Sequence, residues 1–321
     1  MQKDIRNPYY EKYESISDGR SSFIPIGMPT LANMTNDFET GKVTVITGPP
    51  KEGKSSVLHQ IFLNAIDKGF GAVLLDGEHD QSWLLNSLYR KVIGNTPRAY
   101  TSVPYNKKHI FEPTQLTLDM LRDWHEDRMT IMSKYLMKDV KTLDKLFGLI
   151  SDVIKSFDYK LLILDNIMSL CDSTQAEKNE NQNRFLKRVC ELSKSHNIHC
   201  IVVAHPNKNA IPGGDMGIYD VSGASEIVNL TDFLIHIKRN YDKDREAGSP
   251  DGWARLLLNR PWGEIGDVPL IFDEKRRTLF EMNGSGNAIT YDFNWKNEGK
   301  QKEEFENHGK TNDYLKQFSQ Y

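Results

Sequence analysis

Lys42-Val43-Thr44-Val45-Ile46-Thr47-Gly48-Pro49-Pro50-Lys51-Glu52-Gly53-Lys54-Ser55-Ser56-Val57-Leu58 decides how this chain is read. An apolar, β-branched run from Val43 to Thr47 leads into a loop with a glycine near each end. Val57, Leu58, Ile61, Phe62, Ala65 and Ile66 then recur at helical spacing. Strand, glycine loop and helix form the setting that the pattern G-x-x-x-x-G-K-[ST] requires, and Gly48 to Ser55 fits it without mismatch. Gly48 and Gly53 let the backbone turn so that successive N–H groups face one concavity, to which the helix adds its positive N-terminal end. The run Gly48, Pro49, Pro50, Lys51, Glu52, Gly53, Lys54, Ser55 and Ser56 is therefore read as a phosphate cradle. Lys54 would reach the β- and γ-phosphates as a mobile point charge, and the Ser55 hydroxyl would ligate Mg²⁺.

Two acidic positions complete this reading. Leu161-Leu162-Ile163-Leu164-Asp165 is an apolar run ending in a carboxylate, as expected where a central strand reaches the site; Asp165 would hold the Mg²⁺ shell. Hydrolysis also needs a group that orients and deprotonates water. Glu78, in Leu74-Leu75-Asp76-Gly77-Glu78-His79, lies just past a second strand on the same edge; Asp76, His79 and Asp80 are its local rivals, and a solvated acidic turn is the plainer alternative.

Outward from this core, short β-branched runs alternate with segments of helical period, the pattern of a mostly parallel sheet covered by helices. The strand candidates are Val43–Thr47, Ala72–Asp76, Leu161–Asp165, Ile198–His205, Phe233–Lys238 and Ala254–Arg260. Val268–Phe272, Thr278–Met282 and Ile289–Phe293 follow at hairpin spacing and predict a C-terminal β-hairpin extension. Helices are expected on Leu143, Leu146, Phe147, Ile150, Val153, Ile154 and Phe157, and on Phe185, Leu186, Val189, Cys190 and Leu192. Residues 96–140 are the least readable part and are taken as a helical insertion with two proline breaks. Residues 1–22 read as a polar arm or linker, 23–294 as the core, and 295–321 as a charged tail.

Bulk properties narrow the class. With 321 residues and 38% hydrophobic content, the chain can bury one sizeable α/β core. A formal net charge of -3 lacks the positive field of many nucleic-acid binders, so any such contact must be local. The three cysteines, Cys171, Cys190 and Cys200, have no C-x-x-C spacing, which argues against a zinc site or disulfide framework and for buried thiols in a reducing compartment. No apolar run is long enough to span a membrane, and the first residues lack a signal core; a soluble, cytoplasmic protein of a bacterial or phage-infected cell is expected.

In this order and spacing, the three elements resemble the helicase domain of the DnaB-like family, most closely the branch of phage primase-helicases and the mitochondrial helicase Twinkle. Ile201-Val202-Val203-Ala204-His205-Pro206 is similar to that branch's strand ending in His-Pro. The resemblance makes His205 a sensor of the γ-phosphate beside a DNA-binding loop. Ser222-Gly223-Ala224-Ser225, followed by Asp232 to Arg239, is similar to the family's small-residue helix start and next strand, with an arginine at the position of Arg239. Asn259-Arg260-Pro261-Trp262-Gly263-Glu264-Ile265-Gly266-Asp267-Val268-Pro269-Leu270 resembles the Asn-Arg-hairpin segment whose arginine acts as a finger on the neighbouring subunit's γ-phosphate. The resemblance implies a RecA-like core, ATP with Mg²⁺, a hexameric ring on single-stranded DNA and 5′ to 3′ movement.

Some features depart from the family pattern. Leu258 stands where a lysine is usual, two residues before the finger. The loop Pro206 to Gly217, expected to follow the DNA backbone, has one lysine and one aspartate, so its electrostatic contribution would be small. Residues 1–22, with Tyr9, Tyr10 and Tyr13, are either a linker docking on the next subunit or an unstructured arm. The tail, with Phe305, Tyr314, Leu315 and Phe318, is either solvated or a docking segment for a primase, polymerase or single-strand-binding protein. A recombinase-type filament or DNA-stimulated ATPase without strand separation is the competing reading of the same fold.

Overall fold

The structure, a computed structural model, describes residues 22–94, 96, 99–105, 108–133, 140, 142–166, 178–207, 210–221, 224–290 and 293–295. In chain order the strands are β1 (Phe23–Ile24), β2 (Phe38–Glu39), β3 (Val43–Thr47), β4 (Ala72–Asp76), β5 (Tyr100–Tyr105), β6 (Lys108–Pro113) and β7 (Met129–Ser133). They continue with β8 (Leu161–Asp165), β9 (His199–Ala204), β10 (Phe233–Arg239), β11 (Gly252–Asn259), β12 (Gly266–Asp273) and β13 (Thr278–Glu281). A 9-stranded sheet runs in the order β13-β12-β11-β10-β3-β9-β8-β4-β7. From β10 to β7 all neighbours are parallel, whereas β10 to β13 form an antiparallel meander.

Burial explains why these runs are strands. Every residue of β3, β4, β8 and β9 is buried, because helices cover both faces of the parallel half. One face carries the helices Lys54–Asp67, Gln81–Ile93 and Gln115–His125, together with the segment Ile24 to Phe38; the other carries Leu143–Phe157, Lys178–His196 and Ala224–Leu230. Each large apolar side chain withdrawn from water contributes about 1.5–3 kcal/mol, so Leu162, Ile163 and Leu164, all at 0% exposure, fix this strand firmly in the centre. The helix Leu143–Phe157 buries Leu146, Phe147, Ile150 and Ile154, starts on the Thr142 side chain and stops at Asp158 in the left-handed region. Phe157, expected on its buried face, is half exposed and stacks on Tyr159.

Several expectations need correction. Within residues 96–140 the described part is only partly helical: β5 and β6 form a hairpin, the helix Gln115–His125 buries Met120, Leu121 and Trp124, and β7 adds an edge strand to β4. Period-2 runs such as Tyr100–Tyr105 are too short, and too interrupted by proline, to stand out in sequence. Ile289–Phe293 yields no described strand, only a bridge between Met282 and Ala288. Trp295, read as the start of the tail, is 3% exposed in the core, and Phe293 before it packs on Trp124. Residues 1–21 and 296–321, Ser222, Gly223 and Cys171 lie outside the described residues. Among those described, no helix is long and apolar enough to cross a membrane.

Candidate active site

The loop after β3 owes its shape to its glycines. A Cβ on Gly48 (φ 147°) would lie 2.4 Å from the Ile237 carbonyl oxygen of β10, and one on Gly53 (φ 99°) 2.5 Å from Leu279 Cδ1 of β13. The loop is thus clamped between two strands with its backbone bare. The helix Lys54–Asp67 that it opens has no side-chain N-cap, so the first-turn N–H groups are not taken by one. Pro50 and Lys51 are exposed, Gly48 and Pro49 buried, and Ser56 offers its carbonyl to the Thr278 hydroxyl at 3.4 Å. Lys54 is 8% exposed, and its Nζ donates to the carbonyls of Gly48 (2.7 Å) and Pro49 (2.8 Å). Burial lowers its pKa, while Asp165, Glu52 and Glu78 oppose that shift.

Opposite the lysine, Ser55 Oγ donates to Asp165 Oδ2 at 3.0 Å. Asp165 is paired in register with Asp76 of β4. Burial, then the charge of Asp76, pushes the Asp165 carboxyl up to about 6; Glu78 adds to this, while Ser55 and Lys54 oppose it. A crowded carboxylate beside a hydroxyl is a hard-oxygen donor set suited to Mg²⁺, which characteristically takes one or two protein ligands and completes its shell with water and phosphate. The residues therefore fit the cation, and Ser55 and Asp165 are the two that would hold it.

Among Glu78 and its rivals, each neighbour has another task. Asp76 Oδ1 accepts the N–H groups of Glu78 (2.7 Å) and His79 (2.6 Å), and Oδ2 meets His79 Nδ1 at 3.0 Å. Asp80 caps the helix Gln81–Ile93 by accepting from Trp83 N at 2.8 Å. Glu78 is exposed and is held by Asn166 Nδ2, a residue the sequence reading passed over because an asparagine after a strand carries no signal of its own.

His205 follows β9, whose last residue, Ala204, pairs with Thr47, so the histidine lies at the phosphate-loop edge. Arg239 ends β10 at the same edge and is exposed, its guanidinium over Tyr241. Glu52 has a role the motif did not predict. Only 2% exposed, it accepts from Gly213 N at 3.0 Å and from Arg239 N, tying the phosphate loop to the loop after His205 and to the end of β10. That loop is held again at Asp215, by Lys238 (2.7 Å) and Arg255 (2.5 Å). Arg260 is not brought to this edge. It follows Asn259, which pairs with Phe233 at the start of β10, and its guanidinium donates to Thr231 O (3.0 Å) and Val228 O (2.8 Å).

Fold and site together define a P-loop NTPase with a RecA-like sheet. A family model described as AAA domain matches residues 28–210, more than half of the chain, and the chain belongs to that family. A curated relative, the Twinkle homolog protein, chloroplastic/mitochondrial, of Arabidopsis thaliana, is 23% identical over 84% of this chain; the chain spans 37% of that protein's length. Two solved structures share the fold at 13% identity. One, described as an ATPase domain, covers 88% of this chain and 100% of its own (TM-score 0.68). The other, a DnaB-like replicative helicase described with its interactions with primase, covers 87% of this chain and 67% of its own (TM-score 0.66). These matches bear out the resemblance to the DnaB-like helicase family.

Proposed function

We propose that this chain is the ATP-driven motor core of a DnaB-like replicative helicase, a ring of identical subunits, six by family resemblance, that moves 5′ to 3′ along single-stranded DNA in the cytoplasm. The observation that carries the ring reading is the separation of Arg260 from its own phosphate loop: strand register puts the two at opposite edges of the sheet. An arginine so placed can complete only a neighbour's site, through a head-to-tail interface.

Within one subunit Lys54 exchanges the Gly48 and Pro49 carbonyls for the β- and γ-phosphates of ATP, while the loop N–H groups hold the β-phosphate. Ser55 and Asp165 would hold Mg²⁺, which would supply positive charge to the phosphate oxygens. Glu78, oriented by Asn166, accepts a proton from the attacking water. His205 reads the γ-phosphate, Arg239 supplies a further cation at this edge, and a neighbour's Arg260 stabilises the charge of the transition state. The loop after His205 contacts the strand chiefly through backbone N–H groups and asparagine side chains. A primase, polymerase or single-strand-binding protein is the partner class for the C-terminal tail.

The test mixes two inactive variants, Glu78→Gln and Arg260→Ala, and measures ATPase with Mg²⁺ and single-stranded DNA. Regained turnover is expected, because some interfaces then join an intact Glu78 to an intact Arg260. No regain, with both variants still assembling, would rule out catalysis in trans. A filament by mass and shape would favour the recombinase-type reading.

A further inference from the structure

The helix Gln81–Ile93 turns one face, at steps of three and four, into a cavity of 1070 Å³: Trp83, Ser87, Arg90 and Lys91 line one wall, with Lys275 and Arg277 from the β12–β13 turn across from them. No residue from Gly48 to Ser56 lines it, nor do Glu78 and Asp165.

Lys91 has no electrostatic explanation within the fold described. It is 4% exposed, and its ammonium donates to Ser87 Oγ at 3.3 Å. The charges that act on it most are Arg90 and Arg277, both positive, and Lys91 in turn bears on the buried His59. Glu112 and Glu274 also reach the cavity with exposed side chains, yet among the described residues neither is ion-paired with Lys91. Burial, Arg90 and Arg277 together push the lysine down to about 8. A charge withdrawn from water is tolerated when an opposite charge answers it, and here the protein provides more of the same sign.

The cavity also has a direction. Trp83 is 50% exposed and stacks on His79 at 4.0 Å, which fixes an aromatic platform near the β4 edge. Lys91 lies eight residues further along the helix, roughly 12 Å away. An aromatic ring at one end and cations at the other, at that separation, match the two ends of a nucleoside polyphosphate, and the volume is at the upper end for a small-molecule site. We infer that this cavity is a second nucleotide site, with phosphates against Lys91, Arg90, Arg277 and the Ser87 hydroxyl and the base against Trp83.

The inference does not rest on the helicase reading, and one set of measurements separates the two. Equilibrium dialysis of the full chain with labelled ADP should give two bound per wild-type chain, one in Lys54→Ala, one in Arg277→Gln and none in the double variant. Arg277 is exposed, so its replacement should spare the fold, and Arg90→Gln serves as an independent second variant. In the Lys54→Ala background, Trp83→Ala should weaken ADP about tenfold and leave pyrophosphate competition nearly unchanged. One ADP in wild type and none in Lys54→Ala would overturn this inference and leave the phosphate loop intact as a site. One ADP kept in Lys54→Ala but lost in Arg277→Gln would support it while removing the phosphate loop. Displacement of ADP from Lys54→Ala by a thymidine oligonucleotide more readily than by pyrophosphate would give the cavity to a nucleic-acid backbone and overturn the nucleotide assignment.

Discussion

Where β3, β4, β8 and β9 end, Lys54, Asp165, Asp76 and Glu52 are buried together and joined through carbonyls, hydroxyls and N–H groups. At the opposite edge, where β10 begins and β11 ends, Arg260 is exposed and rests on two backbone carbonyls of the helix Ala224–Leu230 and its exit. The first edge is organised in advance, and its charges cannot easily leave. The second holds its cation through neutral acceptors that phosphate oxygens can displace, since phosphate adds an opposite charge and a bidentate match to the guanidinium. The phosphate pocket and the arginine that would complete another pocket are thus carried back to back on one sheet.

The comparison breaks first at Lys54. Lys54→Ala should reduce ATPase to background, and retained turnover would mean the organised edge is not the reaction site. Arg260→Ala should cost about 10³-fold or more in kcat, the scale of an arginine finger, with assembly retained by light scattering. A loss under tenfold would reduce Arg260 to a clamp on the helix end. Glu52→Gln sharpens the comparison at the link between loops. DNA stimulation of ATPase should fall about tenfold while turnover without DNA changes little, because the carboxylate that ties the phosphate loop to Gly213 and Arg239 is weakened. Equal loss in both conditions would make Glu52 merely structural.

Stability should respond in the opposite sense to activity at Asp165. Its folded pKa is raised to about 6 from 3.8, so the ionised form costs stability: the penalty is absent below the lower value, grows through this window and is complete above about pH 6. Asp165→Asn should therefore raise the Tm of the nucleotide-free chain by roughly 2–6 °C at pH 8 and by much less at pH 4, while removing Mg²⁺-dependent turnover. A lower Tm at pH 8 would show that the Ser55 contact outweighs the charge. Thr142→Ala, which removes only the side-chain cap of the helix Leu143–Phe157, should cost about 1 kcal/mol in denaturant unfolding with ATPase unchanged.

Much of this was legible in the sequence because parallel strands buried on both faces leave uninterrupted apolar runs. Val43–Thr47, Ala72–Asp76 and Leu161–Asp165 coincide with β3, β4 and β8. The antiparallel half was readable in outline through its hairpin spacing, though Ile289–Phe293 did not become a described strand. Residues 96–140 were misjudged because β5 and β6 form a two-stranded sheet apart from the main one, where no two-sided burial imposes a pattern. Lys54, Ser55 and Asp165 were marked by motif and setting. Asn166, the Glu52 contacts and the Lys91 cavity depend on partners distant in sequence, and no local spacing announces them.

The clasp of β13 over the phosphate loop also sets a timetable. Leu279 lies against Gly53, and Thr30 N donates to Glu281 across 251 residues of sequence, so the first and last parts of the core meet only when nearly all of it exists. On a ribosome adding about 5–20 residues each second, the early loop would wait tens of seconds for its cover. Nascent chains stopped before Thr278 should therefore expose an unfinished pocket, and nucleotide capture would then be a late event in the life of each molecule.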